Sequence, residues 1–374
     1  MAESVSWLKA MDPRETKLNI LLFALPITLY FNYVNQNHSM AFFSSLIAIM
    51  PLAFLMGRAT EEIALRTTES LGGLLNATFG NAAELIIAVL LILEASRVAD
   101  PETQSFFIQL VQASLIGSIL GNLLLVMGLA FVWGGIHHSE QKYSETQVSS
   151  NGSLLLLSMI VLVIPTVFHS SVGADGGDSR LLDLSHIAAA ILLLVYGLFL
   201  LFQFRTHVHL FATDGSHHEE PEMTQRDSII LLVVATVLVS WMAEILVHSV
   251  EYAAEDFGLP HLFIGVILLP LFGNAAEHFT AVTVAGKDKM DLSFAISMGS
   301  STQIAVFIAP LMVIIAWALG VPLTFEFGTL ETVSAFLAVL IVNSIAADGK
   351  SNWLEGAMLL SSYGVLAAAF LFHP

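Results

Sequence analysis

The chain has 374 residues, of which 56% are hydrophobic and 12% are charged, whereas about a quarter of the residues of a soluble domain are usually charged. Its net charge of −18 argues against nucleic-acid binding and suits a cation as ligand. The chain has no cysteine, which excludes disulfides, thiolate metal sites and cysteine nucleophiles. The composition therefore indicates an integral membrane protein that lies in a lipid bilayer.

The apolar runs predict about eleven membrane-spanning helices, since a helix needs about 20 mostly apolar residues to cross a bilayer. The first run has no small-residue cleavage site after it, and we interpret it as a span rather than a signal peptide. A long polar segment at 204–226 is acidic and His-rich. We interpret it as a solvated cytoplasmic linker, with cation sensing as the alternative. The predicted spans are 18–36, 41–64, 72–95, 105–134, 151–171, 182–203, 227–250, 261–285, 290–319, 326–347 and 350–372.

The basic residues predict the orientation of these spans. If the chain alternates across the membrane, eleven Lys and Arg residues fall on the side of the N-terminus and only two, Arg97 and Arg180, on the other. By the positive-inside rule, we expect a cytoplasmic N-terminus and a C-terminus outside. The short N-terminal tail favours a bacterial plasma (inner) membrane, with a vacuolar membrane as the alternative.

The sequence FGNAAE occurs twice, at Phe79–Glu84 and at Phe272–Glu277, 193 positions apart. Weaker echoes lie on either side, as Glu-Ile at positions 62 and 244 and as Gly-Ser at 117 and 299. Each repeat would contain five spans, and because five is odd the two copies would enter the membrane from opposite sides. Substrate sites of transporters with inverted repeats lie near the midplane, where the repeats meet.

The predicted fold class is therefore an all-α integral membrane protein with one N-terminal helix and two inverted five-helix repeats. The tail and first helix occupy 1–40, the first repeat 41–203, the linker 204–226 and the second repeat 227–374.

Glu84 and Glu277 are the central candidates for the functional site. Each lies within an otherwise apolar run, where an ionised side chain costs at least about 2.5 kcal/mol, so such residues usually face a cavity or a partner. Asn81 and Asn274 precede them by three residues and share their helix faces. The pattern predicts a site made of carboxylate and amide oxygens.

The backbone around these residues is expected to be irregular. Gly80 and Gly273 weaken the helices, and Pro270 removes a backbone donor just before the second copy. Broken helices expose carbonyl oxygens, which are further cation ligands. Later in each repeat, polar side chains recur at helical spacing, and a small-residue packing face is the alternative interpretation of the first pair. These further candidates are Ser118, Asn122, Ser300 and Gln303.

The ligand chemistry predicts the ions. All candidate ligands are oxygens, which Ca²⁺ prefers, whereas softer metals prefer sulfur or imidazole. Two carboxylates neutralise one divalent cation, and a carboxyl that is buried without its metal binds a proton instead. Glu84 and Glu277 are therefore predicted to hold either one Ca²⁺ or protons. No cofactor is expected, and Mn²⁺ is an alternative cargo.

Four long motifs surround these residues, at Gly72–Leu85, Gly117–Gly128, Gly273–Val282 and Gly286–Pro310. In these motifs the sequence resembles the calcium/cation–proton exchanger (CAX) family of the cation/Ca²⁺ exchanger superfamily. The resemblance implies an eleven-span exchanger in which Glu84 and Glu277 form the shared Ca²⁺ and proton site. It also implies proton handling at His278 and acidic vestibule positions at Glu62 and Glu244. One departure is Gly121, where the family pattern leads us to expect Ser.

The resemblance further implies that the polar residues beside the two Glu line the site. These are Asn81, Asn274, Ser118, Ser300 and Gln303.

The leading hypothesis is Ca²⁺/H⁺ antiport by alternating access, which removes Ca²⁺ from the cytoplasm. Sodium-coupled Ca²⁺ exchange and Mn²⁺/H⁺ exchange are the nearest alternatives, and Asn-Ala-Ala before each Glu favours proton over sodium coupling by resemblance. A channel is disfavoured because paired acidic repeats suit alternating access. An intramembrane metalloprotease, the enzyme alternative, is disfavoured because the chain has no His-Glu-x-x-His motif.

Overall fold

The structure is a computed structural model, and it describes residues 5–67, 72, 75, 78–172, 177–207 and 221–373. Most of the predicted linker, at 208–220, and part of the predicted third span lie outside the described residues. The predicted all-α class is confirmed, since the described strands are only β1 (Gln141–Lys142) and β2 (Lys350–Ser351). The α-helices are α1 (Trp7–Ala10), α2 (Ala24–Leu29), α3 (His38–Ala64), α4 (Ala82–Arg97), α5 (Pro101–Leu120), α6 (Met127–His137), α7 (Glu145–Val172), α8 (Gly177–Leu201), α9 (Gln225–Phe257), α10 (His261–Phe263), α11 (Leu269–Gly273), α12 (Ala275–Ala285), α13 (Met290–Gln303), α14 (Ala309–Ala318), α15 (Thr329–Ala346) and α16 (Trp353–Leu371).

Several of these α-helices are continuous with a 3₁₀-helical or a π-helical segment. A 3₁₀ turn precedes α2, and π-helical turns follow α2, α5, α8, α10 and α13. π-helical turns are rare and are often found at functional sites. The 3₁₀ segment is Lys17–Phe23, and the π segments are Tyr30–Asn35, Gly121–Val126, Phe202–Thr206, Ile264–Leu268 and Ile304–Ile308.

Within the described part of the chain, nine helices are long and apolar enough to cross a membrane. The bent pair His261–Gly273 and Ala275–Ala285 would make a tenth. These ten coincide with ten of the predicted spans, and α4 covers much of the predicted third span, 72–95. The count of eleven spans stays a prediction.

The predicted start of the tenth span at 326 is wrong, because α15 begins only at Thr329. The preceding segment is extended, and every second side chain from Val321 to Phe327 is buried. Side chains of three helices satisfy its backbone groups. The amide of Gln112 donates to the carbonyl of Thr324 at 2.9 Å, and further bonds come from Thr166 and Ser185. Extended backbone is tolerated at membrane depth when protein buries it in this way.

The last predicted span likewise begins later than expected. Lys350 and Ser351 pair with Lys142 and Gln141 in an antiparallel two-stranded sheet, and α16 begins at Trp353. Its N-cap is Asn352, whose side-chain oxygen accepts backbone N–H bonds of 3.0 and 3.1 Å.

Tyr143 packs beside this sheet, and burial raises the pKa of its phenol, with a smaller contribution from the carboxylates of Asp348 and Glu355.

The chain forms two compact units, each assembled from segments that are distant in sequence. Unit 1 comprises the described residues of Met1–Leu90, Gln203–Leu259 and Leu271–Ala276. Unit 2 comprises those of Leu91–Phe202, Pro260–Pro270 and Glu277–Pro374. Each unit therefore contains segments of both predicted repeats.

The core of unit 1 is an antiparallel pair of long helices, α3 and α9. Buried side chains on α9 recur every three or four residues, as in coiled coils, and the opposite face is also apolar but exposed. That second face suits a lipid environment. The buried positions include Leu231, Ala235, Val239, Met242, Leu246, Val250 and Ala253, and the exposed apolar ones include Ile229, Val233, Val237 and Trp241.

In unit 2, small residues bring helices into close contact. A Cβ added to Gly117 on α5 would lie 2.2 Å from the carbonyl oxygen of Val266. Nearby, a Cβ on Gly265 would lie 2.4 Å from the Cβ of Ala113. Small side chains are a common means of close helix packing in membranes. The predicted packing role of Gly117 is therefore met by this contact.

Candidate cation site

The second FGNAAE segment interrupts its helix, as the sequence predicted. Helix α11 ends at Gly273 and α12 begins at Ala275, and the two are bent by 59°. The first copy has the same local form, with a turn at Asn81 between helical residues and the start of α4. Glu84 and Glu277 therefore both lie in the first turn of a helix that follows a break.

The two copies contact each other within unit 1. The amide nitrogen of Asn274, in the second copy, donates a hydrogen bond to Oε1 of Glu84, in the first. Asn274 is buried and Glu84 is partly buried. Gly273 lies beside this contact, since a Cβ added there would be in ordinary van der Waals contact with Cγ of Glu84 at 3.9 Å. Two segments that are 190 residues apart in sequence thus share one polar contact.

A second contact between predicted site residues lies within unit 2. The amide of Asn122 donates to Oγ of Ser300 at 2.9 Å, and both side chains are buried. The side-chain oxygen of Asn122 is also buried and has no hydrogen-bond partner among the described residues. Ser118 is buried one turn earlier on α5, and Gln303 is half-buried at the end of α13.

The two helices that carry these side chains both continue as π-helical segments, at corresponding positions of the two predicted repeats. The Gly-Ser echoes at 117 and 299 are 182 positions apart, and the π segments that follow begin at Gly121 and Ile304, 183 positions apart. A π turn shifts the hydrogen-bond ladder by one residue and so redirects side chains and carbonyl groups. The irregular backbone expected at the site therefore extends beyond the FGNAAE segments.

The remaining predicted residues have different surroundings. His278 is buried directly after Glu277, and its Nε2 has no hydrogen-bond partner in the described part of the chain. Glu244 is exposed on α9. Glu62 is buried near the end of α3, and its carboxylate accepts backbone N–H bonds from Glu222 and Met223 at 3.0 and 3.1 Å.

The partners of Glu62 were missing from the sequence interpretation. Arg66, in the turn after α3, forms an ion pair with Glu62 at 3.4 Å, and the two residues are four positions apart, a spacing that the sequence itself displays. The backbone partners at 222 and 223 depend on how the chain returns from the linker, which no local pattern encodes.

The sequence and the fold of this chain are similar to those of known proteins. A profile of the sodium/calcium exchanger protein family matches residues 38–205 and 227–372. A Ca²⁺/H⁺ antiporter of Aphanothece halophytica is 44% identical over 370 residues, which cover 95% of this chain and 96% of that one. The chain belongs to the calcium/cation–proton exchanger family of the cation/Ca²⁺ exchanger superfamily.

Two further similarities cover 95% or more of the chain. A vacuolar calcium ion transporter of Schizosaccharomyces pombe is 38% identical over 383 residues, with 100% of this chain and 90% of that one covered. The solved structure of native YfkE has a TM-score of 0.81 at 37% identity and covers 95% of this chain and 100% of that one. The chain is therefore a membrane transporter and not an enzyme, and the predicted family is confirmed.

Proposed function

We propose that this exchanger moves Ca²⁺ out of the cytoplasm in exchange for protons, with Glu84 and Glu277 as the ion-binding carboxylates. The observation that carries this proposal is the hydrogen bond from Asn274 to Glu84, which joins the two acidic repeats at a break in the helices. The relatives named Ca²⁺/H⁺ antiporter support the same pair of ions.

The cargo follows from the donor atoms. Glu84 and Glu277 supply carboxylate oxygens, Asn81 and Asn274 amide oxygens, and the broken helices carbonyl oxygens. Ca²⁺ takes six to eight such ligands in flexible geometry. Mn²⁺ also binds oxygen ligands, and Mn²⁺/H⁺ exchange is the second candidate because nothing in this donor set selects against it.

Proton coupling follows from competition for the same oxygens. When Ca²⁺ is bound, the two carboxylates balance its charge, and when it leaves, protons take its place. Asn274 would hold the Glu84 carboxylate in position during this change, since its amide donates to that group. Asn122, in the π segment after α5, and Ser300, on α13, form a polar contact, and we propose that they line the ion path together with Ser118 and Gln303. We assign His278 to proton handling because it directly follows Glu277.

We further propose the topology and mechanism that the sequence predicted. One N-terminal helix and two inverted five-helix repeats would give eleven spans with the N-terminus in the cytoplasm. The matching π segments at Gly121 and Ile304 support this repeat. Alternating access would expose the site to each side in turn. We assign the protein to a bacterial plasma membrane, with a vacuolar membrane as the alternative that the S. pombe relative supports.

The test is Ca²⁺ uptake into proteoliposomes that hold an acidic interior against a neutral exterior. We expect uptake by the wild type and its loss in Glu84→Gln and Glu277→Gln. Glu94→Gln is the matched control, because Glu94 lies on the same helix as Glu84 but pairs with Arg97 at 3.6 Å. Uptake that survives in Glu277→Gln contradicts the proposed mechanism. Uptake driven by a Na⁺ gradient instead of the pH gradient favours sodium coupling.

A further inference from the structure

A cluster of polar contacts fastens the end of the linker to helix α3. We name it the linker clasp, and it consists of Arg58 and Glu62 on α3, Arg66 just after α3, and Glu222 and Met223 just before α9. The Glu62 carboxylate accepts both backbone N–H groups of the two linker residues. Arg66 donates to the carbonyl of Met223, and Arg58 pairs with the Glu222 carboxylate at 3.1 Å.

The charge of Glu62 is already balanced inside this cluster. The residue is only 6% exposed, and burial of a carboxylate is costly unless it is paired and hydrogen-bonded. Two successive backbone N–H groups each donate to one oxygen of the carboxylate, and the Arg66 guanidinium adds an opposite charge at 3.4 Å. In this arrangement the carboxylate binds the linker backbone, with both of its oxygens engaged.

The clasp also joins the ends of two long helices. Met223 is followed by Thr224, which caps the first turn of α9 through a 3.1 Å bond to the backbone N–H of Asp227. Glu62 lies in the last turn of α3, and Arg66 lies in the turn that follows the end of the helix at Ala64. Since α3 and α9 are antiparallel, the clasp fastens the end of one to the start of the other.

The opposite ends of the same helices are fastened too. Ser39, in the first turn of α3, donates to the carboxylate of Asp256 near the end of α9. His38 stacks on Tyr252 with the ring centroids 4.6 Å apart. Between the two ends, the helices share a continuous buried face. The pair is thus tied by a carboxylate at each end.

We propose that Glu62 is a positioning residue for ion exchange, which through the linker clasp holds the start of α9 against the end of α3. The inference rests on the proposed exchange activity but assigns Glu62 a different task from cation binding. Its carboxylate holds the start of α9, and the conformational step of transport depends on that hold. Many transport and catalytic cycles are limited by such a step.

The test compares Ca²⁺ uptake kinetics of Glu62→Gln, Arg66→Met and the double variant in proteoliposomes. A glutamine at 62 loses the charge and points an amide donor at a backbone donor. We expect each single variant to lower the maximal rate several-fold while the KM for Ca²⁺ stays within about twofold, since the bound state is unchanged. The double variant should be no slower than the slower single variant, because both changes break one cluster.

Glu61→Gln is the matched control, since it removes the same charge from the exposed neighbouring position. It should leave both kinetic constants near wild-type values. The proposal is overturned if Glu62→Gln raises the KM about tenfold, the loss expected for one charged ligand contact, while Arg66→Met does not. It is also overturned if neither variant changes the maximal rate.

A second measurement does not depend on transport. Amide hydrogen exchange in detergent should show protection at Glu222 and Met223 in the wild type and faster exchange in Glu62→Gln and Arg66→Met. Unprotected amides in the wild type overturn the clasp itself. If instead the amides are protected and the wild type moves no Ca²⁺ along a pH gradient, the proposed function fails while the clasp stands.

Discussion

Replacement of Gly117 by alanine tests the closest helix contact in unit 2. The added Cβ would lie 2.2 Å from the carbonyl oxygen and 2.6 Å from the Cα of Val266, whereas ordinary contacts begin near 3.4 Å. These neighbours are backbone atoms and cannot rotate away, so the helices must separate. Overpacking of this kind costs about 1–3 kcal/mol, which exceeds the gain of about 1 kcal/mol from alanine over glycine within a helix.

A second close contact between the same two helical segments, Gly265 with Ala113, allows a rescue experiment. In Gly265→Ala, the new Cβ meets the Cβ of Ala113 at 2.4 Å, which is a side-chain atom. We expect a similar loss of stability. Adding Ala113→Gly to the same chain removes the clash and should restore most of the lost stability. The rescue should fall short by about 1 kcal/mol, which is the cost of a glycine within a helix. No change at residue 113 should rescue Gly117→Ala, because the clash there is with backbone.

The assay is thermal unfolding in detergent at one fixed scan rate, since membrane proteins often unfold irreversibly. Gly197→Ala is the control: this residue lies within α8, and no described atom outside its own helix backbone lies within 4 Å of its added Cβ. Its Tm should be equal to or higher than that of the wild type. A Tm of Gly117→Ala equal to that of Gly197→Ala would refute the close contact, as would a failure of Ala113→Gly to rescue Gly265→Ala.

Three further predictions concern single contacts. Asn274→Ala removes the hydrogen bond to Glu84 and should lower Ca²⁺ uptake in proteoliposomes, whereas uptake equal to wild type would contradict its positioning role. Asn352→Ala removes the N-cap of α16 and should lower the unfolding free energy by about 1 kcal/mol, read as a lower Tm in detergent. The folded-state pKa of Tyr143 is raised above 10.0, so its stabilising contribution is present below pH 10.0 and is lost above it. Tyr143→Phe should therefore weaken the loss of stability above that pH, and an unchanged pH profile of the Tm would contradict the raised pKa.

The parts of the fold that sequence predicted well have strong local signals. Long apolar runs identified the spanning helices, because the bilayer sets a minimum length for an apolar helix. The break before Glu277 was predicted from Pro270 and Gly273, which weaken a helix wherever they occur, and the 59° bend confirms it. The family was predicted from four long motifs, two of which contain the repeated GNAAE sequence, and the match to known exchangers confirms it.

The extended segment before α15 shows where this approach failed. Alternation of buried Val321, Leu323, Phe325 and Phe327 is typical of a strand, yet the prediction began a helix at 326. Apolar residues at membrane depth were assumed to be helical. The segment is extended because hydroxyl and amide groups of other helices satisfy its backbone, and those partners are more than a hundred residues away.

The candidate site was predicted as a set of residues but not as a set of contacts. Helical spacing placed Asn274 beside Glu277 on one face, whereas the structure directs its amide to Glu84 of the other copy. The pairing of Asn122 with Ser300 also joins distant helices. Such contacts depend on tertiary packing, which a single sequence encodes only through the whole fold. The roles of these residues in transport remain predictions.

Simultaneous recording of Ca²⁺ and protons tests the central claim most directly. Proteoliposomes that contain one dye for Ca²⁺ and one for pH would receive Ca²⁺ outside while the interior is acidic. In the wild type we expect Ca²⁺ entry and proton exit with the same time course, and in Glu277→Gln we expect neither above the protein-free rate. Ca²⁺ entry without proton exit, or coupled exchange in Glu277→Gln, would contradict the claim that the repeated glutamates carry both ions.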